Sequence, residues 1–357
     1  MRKKKLHPLL IAVIVLLILM LVLCGTVACL WFAGRSALNT PATAPTLPPS
    51  DASEGQTEGA ETGATQPDGD YVEYNGKRYE YNKKMYNILL MGIDSSKNAD
   101  EAAGEHDQAD VLILAALDQK ANKLSLINIS RDTMCDMKLV DANGEQTGMK
   151  HAQLALAYAY GDGQHLSCEL TRDAVSNLFY GLPIHNYAAY YVKGVSQLND
   201  AVGGVTVTVR DDYDFTQHSW LRHLKPGSEV TLKGKEAQDY IQLRNSTIDG
   251  NNQRMQRQKQ YMLALISKAK NMMLENPTCV FSIYNAVDDY ILTDLNISEI
   301  SYLATIGASM DFSGNIRSLI GEMTLTPKED DIFVAELHPN QEQIYDLIMD
   351  IFYTEVP

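Results

Sequence analysis

Residues 86–96 read YNILLMGIDSS, a near-continuous apolar run that closes on Gly92-Ile93-Asp94-Ser95. A short apolar run bounded by turn residues predicts a buried or half-buried strand over Tyr86–Gly92. Two more runs of the same kind follow at Val111–Leu117 and Lys123–Ile129. Helical spacing then marks Gln153–Tyr160 and Glu169–Phe179, before strand-like segments return at Tyr187–Val192 and at Val205–Val209, the latter introduced by Gly203-Gly204. Met255–Met273 carries apolar residues at helical spacing and predicts a long amphipathic helix. Pro277–Tyr353 reads as mainly helical, most clearly at Ile297–Ala308 and Gln341–Phe352. Upstream, Tyr71–Tyr81 predicts a hairpin turning at Asn75-Gly76. Alternation of this kind implies an α/β fold, with a central, mostly buried mixed sheet flanked by helices on both faces.

The N-terminus predicts the compartment. Leu9–Ala33 contains no charged side chain and is long enough to cross a bilayer as a helix. Arg2, Lys3, Lys4 and Lys5 precede it, whereas only Arg35 follows before Lys77. This asymmetry keeps the N-terminus cytoplasmic and the rest outside, in a single-pass protein of the cell membrane. A cleaved signal peptide would have a shorter apolar core, and Thr26-Val27-Ala28-Cys29 only loosely resembles a lipoprotein processing site. The expected organisation is a tail (1–7), a transmembrane helix (8–34), a flexible linker (35–80) and one extracellular domain (81–357), whose part 277–357 is helical. The linker is rich in Thr, Ala, Pro, Gly, Asp and Glu, and cannot bury a core. Fully stretched, at ~3.3 Å per residue, its unstructured portion reaches on the order of 100 Å.

All 45 acidic residues lie beyond the span, and the net charge is −15. Such a surface excludes broad electrostatic binding to nucleic acid or anionic lipid. Any anion must be captured locally. Cys24 and Cys29 fall in the span; Cys135, Cys168 and Cys279 are widely spaced, without a metal-ligand pattern or a disulfide framework. One bridge among those three stays open.

Against this acidic background, residues 240–258 read YIQLRNSTIDGNNQRMQRQ and gather Arg244, Arg254, Arg257 and Gln258. Arginine presents a planar donor fork that matches phosphate oxygens in pairs. These residues alone support a phosphate site and a solvated helix face equally. Arg254, Arg257 and Gln258 are spaced to share a face near a helix N-terminus, where free amides also attract phosphate. Asp94 follows the first strand, Asp110 enters the second, and Ser130-Arg131-Asp132-Thr133 follows the third. Ligands of open α/β sheets collect at the carboxyl ends of strands. Asp94 and Asp110, brought together by neighbouring strands, could hold a hard cation such as Mg²⁺. Taken singly, each suits a structural role better: Asp94 capping a turn, Asp110 on the surface, and Arg131–Asp132 as a structural pair. With Arg131, Arg244, Arg254 and Arg257 the set suits a pyrophosphate. The chain has no Walker loop, nucleophile elbow or HExxH pattern.

In order and spacing, NILLMGIDSS (87–96), ADVLIL (109–114), SLINISRDT (125–133), ALAYAYGDG (155–163), LNDAVGGVTVTV (198–209), LKGKEAQDYIQLR (232–244) and QRMQRQKQYMLALI (253–266) resemble the LytR–CpsA–Psr family of cell-envelope proteins. The resemblance covers the ectodomain from about Tyr86 onward. It implies a Mg²⁺-dependent phosphotransferase that moves a phosphorylated glycopolymer, such as a teichoic acid or capsule, from a polyprenyl-pyrophosphate carrier onto peptidoglycan. By position, Asp94 and Asp110 would bind Mg²⁺, with Asp94 also helping to deprotonate the acceptor. Arg131, Arg244, Arg254, Arg257 and Gln258 would hold pyrophosphate, beside positions 108 and 242. An apolar cavity would take the isoprenoid tail, lined by residues such as Val111, Ile113, Leu154, Leu156, Met262 and Leu265. Glycan contacts are expected on exposed loops such as 211–225.

The sequence departs from that pattern. Gln108 and Gln242 stand where the family usually has Arg, Gln153 where Lys is common, and Asn251 where an acid is frequent. These losses of charge leave a rival reading: a non-catalytic polyprenyl-phosphate-binding or envelope-regulatory protein.

Overall fold

The computed structural model describes residues 31–36, 38, 42–48, 71–95, 97–104, 106–141, 143–245, 250–312, 316–327 and 333–357. Helical turns at 31–36 (α1) come first, then the hairpin β1 (Tyr71–Tyr74) and β2 (Lys77–Tyr81). Asn75 (φ 51°) and Gly76 (φ 72°) supply the two positive-φ positions that a two-residue hairpin turn requires. Next are β3 (Met85–Ile93), β4 (Ala109–Asp118) and β5 (Lys123–Ile129), and a separate ribbon of β6 (Met134–Val140) and β7 (Gln146–Gln153). After α2 (Ala155–Ala159), α3 (His165–Leu178), β8 (Asn186–Tyr191) and α4 (Val195–Ala201), a second ribbon pairs β9 (Val205–Thr208) with β10 (Glu229–Leu232). Then come α5 (Lys235–Gln242), α6 (Gly250–Glu275), α7 (Cys279–Val287), β11 (Ile291–Thr293), α8 (Ile297–Ser309) and β12 (Ile316–Ser318). A third ribbon, β13 (Gly321–Pro327) with β14 (Phe333–Pro339), precedes α9 (Gln341–Phe352) and β15 (Tyr353–Val356).

The expected α/β architecture is present. Six strands order as β11-β8-β3-β4-β5-β12, with β3–β8 and β5–β12 parallel and the other pairs antiparallel, so the sheet is mixed. Strand side chains alternate between faces, and the apolar runs divide accordingly. Leu89, Met91, Ile93, Leu112, Leu114 and Ile127 point into a core shared with α3 and α9. Tyr86, Ile88, Ile113, Ala115, Leu117 and Leu126 point into another, beneath α8 and part of α6. A capping box starts α8: Asn296 accepts from the N–H groups of Ser298 and Glu299, and Glu299 accepts from the Asn296 N–H.

Several expectations need correcting. The linker does not extend to residue 80, because β2 pairs with β1 and with the C-terminal β15 in a three-stranded sheet. Residues 42–48, within the same expected linker, also touch the domain: the Thr46 N–H donates to Tyr180 O and Ala42 is buried. From 277 onward the expected helices are present as α8 and α9, but the strands β11 to β15, which were not expected, stand beside them. Gln153 ends a strand, and the helix there begins only at Ala155. Cys135, Cys168 and Cys279 are free thiols. The expected transmembrane helix, 8–34, lies outside the described residues except for its last turn; among the described residues no helix is long and apolar enough to cross a membrane.

Candidate anion and metal site

Antiparallel pairing creates the site. Ile93 of β3 stands opposite Ala109 of β4, across a register shift at Gly92/Ile93, so Asp94 and Asp110 meet at one end of the sheet. On the other side Leu112 pairs with Ile129 of β5, which brings Arg131 level with Asp110. Arg131 spreads its fork over two acceptors: Nη1 donates to Asp110 Oδ1 and Nη2 to Gln108 Oε1 (2.5 Å). Its Nε lies 3.7 Å from Asp132. Burial raises the Asp110 pKa; the Arg131 guanidinium opposes this, the Asp94 charge adds to it, and Arg254 opposes it again.

Arg254 approaches from α6. Burial and the like charge of Arg244 lower its pKa, while Asp110 and Asp94 raise it and Arg131 lowers it further. These mutual influences put Asp94, Asp110, Arg131, Arg244 and Arg254 in one electrostatic neighbourhood. Arg244 is exposed at the end of α5, and Gln242 beside it is half-buried. Two carboxylates acting on each other at a strand end offer hard oxygen donors, which fit Mg²⁺ with water or phosphate completing its shell. Among the described residues no group of three or more His, Cys, Asp or Glu side chains could hold a metal.

Two predicted ligands are engaged elsewhere. The Arg257 side chain has no exposure to solvent: Nε donates to Tyr240 O (2.9 Å), Nη1 to Asp212 Oδ1 (2.7 Å) and Nη2 to Leu243 O. The rings of Tyr213 and Phe215 lie 5.5 Å from its guanidinium carbon. Gln258 Nε2 donates to Ile241 O (3.2 Å). A helix leaves its last carbonyls without intrahelical partners, and here two side chains of α6 satisfy those at the end of α5. The pair therefore pins the exit of α5, from which Arg244 projects, rather than facing the site. Helical spacing did predict a shared face; it could not reveal that α5 would end against it.

Asp212, the buried partner of Arg257, escaped the sequence reading because no spacing singles it out within Arg210-Asp211-Asp212. Gln153 joins Asp132 (3.1 Å) to Ala335 O of β14 (2.7 Å). The expected cavity residues also divide. Val111, Ile113 and Met262 pack together under α8, Leu265 belongs with α5 and β9, and Leu154 and Leu156 lie across the sheet. On the Val111 face, Leu90 is 37% exposed although it sits mid-strand in the sheet. Its neighbours Val111, Ala188 and Tyr190 are only half-buried. The layer under α6 is thus apolar and partly open.

The profile of the LytR_cpsA_psr family matches residues 52–341. A polyisoprenyl-teichoic acid–peptidoglycan teichoic acid transferase TagU of Enterococcus faecalis is 27% identical over 62% of this chain and 66% of its own length. Biofilm regulatory protein A of Streptococcus mutans is 27% identical over 70% of this chain and 59% of its own. Both alignments therefore cover less than two thirds of the relative. The crystal structure of TagV from B. subtilis superposes with a TM-score of 0.56 at 24% identity, over 75% of this chain and 96% of that one, and so shares the fold.

Proposed function

Because the chain belongs to the LytR_cpsA_psr family, we propose that it is a membrane-anchored, Mg²⁺-dependent phosphotransferase that moves a phosphorylated glycopolymer from a polyprenyl-pyrophosphate carrier onto peptidoglycan. One observation carries the reading: an acid-and-arginine cluster stands at the end of an apolar layer that is open at Leu90, 37% exposed. Leu90 and Asp94 lie four residues apart, about 13 Å along an extended chain. A charged head held beside a partly open apolar layer suits an isoprenoid diphosphate. Burial there contributes roughly 0.8 kcal/mol per methylene.

The residues then divide the chemistry. Arg244 and Arg254 neutralise the pyrophosphate, and Arg131 stabilises charge that develops on it. Asp94 takes the proton of the acceptor hydroxyl, whose oxygen bonds to the glycan-bearing phosphorus. The bond from that phosphorus to the bridging oxygen breaks, and polyprenyl phosphate leaves. Asp94 and Asp110 would hold Mg²⁺, which supplies additional neutralisation of the phosphates.

The rival binding role draws on the Arg131–Gln108 bond, since Gln108 helps to hold that guanidinium on Asp110. The test uses the full chain in nanodiscs with a polyprenyl-pyrophosphate-linked saccharide, peptidoglycan oligomers and Mg²⁺. The expected result is transfer that disappears in Arg131→Ala and Asp94→Asn. Tight carrier binding without transfer from any of several donors would instead establish the binder.

A further inference from the structure

The chain has two tryptophans, and one of them, Trp220, is displayed on the surface at 55% exposure. Its surroundings are otherwise well packed, with Phe215, Leu221 and Leu224 fully buried. The indole is not loose. Its Nε1–H donates to Asp239 Oδ2 (2.8 Å), and Asp239 is itself buried and held by Lys235. His218 lies 5.2 Å from the indole; it also stacks on Tyr213 within 9° of parallel and bonds its hydroxyl (2.8 Å). Tyr213 in turn packs on Phe215 at 4.9 Å, and both rings flank the Arg257 guanidinium. A ladder of aromatic rings thus runs from the surface at Trp220 to Arg257. Arg257 lies three residues, about one helical turn, beyond Arg254 of the anion cluster.

We infer that Trp220 and the loop around it form a saccharide subsite, which takes one pyranose ring against the exposed indole face. An aromatic ring whose edge is tied and which is more than half exposed presents a rigid apolar platform. Little conformational entropy is lost when it is covered. The apolar C–H face of a sugar matches that platform, while its hydroxyls find polar groups on the rim: Arg222, His223 and Glu236. Charges around the loop are mixed, with Asp211, Asp214 and Glu236 beside Arg210, Arg222 and Lys225, so it offers no basic patch to select an anionic bilayer and costs a neutral sugar nothing. The inference rests on the proposed glycopolymer function, for which it supplies a place for the sugar.

The ring could belong to the carrier-linked donor or to the acceptor glycan, and the test has an arm for each. In the full chain in nanodiscs, Trp31→Phe leaves Trp220 as the only tryptophan, and its emission is excited selectively. It is titrated with a polyprenyl-pyrophosphate-linked saccharide and, separately, with an N-acetylglucosamine tetramer. A saturable change in emission with either supports the subsite and assigns its source. In calorimetry, Trp220→Ala should weaken that saccharide by about tenfold or more and Trp220→Phe by about two- to threefold, with melting temperature retained. Absence of a response to both saccharides, or affinity within about twofold of the parent in Trp220→Ala, would overturn it. So would an emission shift with sugar-free phosphatidylcholine vesicles that the saccharides do not alter. Asp94→Asn separates the two readings: persistent transfer there sinks the proposed chemistry, whereas the calorimetry of the Trp220 variants judges the subsite alone.

Discussion

Arg257 carries a permanent charge into a position that solvent does not reach, and its three nitrogens are occupied by Asp212 and by the carbonyls of Tyr240 and Leu243. Removing one partner of such a buried pair typically costs about 3–5 kcal/mol. Arg257→Gln should lose on the order of 3 kcal/mol in chemical denaturation, and Arg257→Lys should recover only part, because lysine has no fork. Lost pyrophosphate affinity at unchanged stability would instead make Arg257 a ligand. Gln108 invites the opposite change. An arginine there cannot accept the Arg131 donor and adds a positive charge. Gln108→Arg should therefore tighten inorganic pyrophosphate binding by about fivefold, close to 1 kcal/mol. Calorimetry that shows equal or weaker binding would remove Gln108 from the account of the site. At this scale the residue types of a phosphate site were legible in the sequence, but their orientation was not. Arg254 and Arg257 lie three residues apart on one helix, and only the packing of α5 sends the second into the interior.

The central strands were the most legible elements, since β3, β4 and β5 place apolar side chains on both faces and so read as apolar runs. The ribbons were not. β6 and β7 carry Lys138, Lys150 and His151 among weakly alternating residues, and β13 and β14 leave Met323, Leu325 and Phe333 exposed. Neither pattern differs enough from loop or helix to be identified before partners are known. The β3–β8 pairing contains a pH-sensitive element. His185 stacks on Tyr86 at 4.5 Å and accepts the Asn87 N–H on Nδ1 (3.0 Å), and burial lowers its pKa from 6.5. The unfolded chain therefore binds this proton more readily than the folded one. Stability that is present above pH 6.5 should be lost as the pH falls from there through the depressed folded value. Melting temperatures measured between about pH 5 and 7 should fall with acidity in the parent and less steeply in His185→Gln. Equal slopes would show that another group is responsible.

Over the whole molecule, the sheet separates two apolar layers, of which one is closed and the other partly open at Leu90. If the open layer receives an isoprenoid tail, a charge there should repel the tail while straining the fold little. Leu90→Glu should reduce the melting-temperature rise given by polyprenyl phosphate and weaken its binding by about tenfold or more. A melting shift equal to that of the parent would place the tail elsewhere. Among the properties of the whole, the α/β class, the central strands, the acidic charge of −15 and the arginines set against it were already fixed in the order of the residues. These depend on local periodicity and composition, which the chain carries wherever it folds. The gathering of Asp94, Asp110 and Arg131, the turning of Arg257 and Gln258 onto the end of α5, and the closure of the C-terminal strand onto the hairpin at β2 arise only in the packed chain. Those outcomes depend on register and on contacts between residues distant in sequence, and no local pattern encodes which strand end or helix end will be the neighbour.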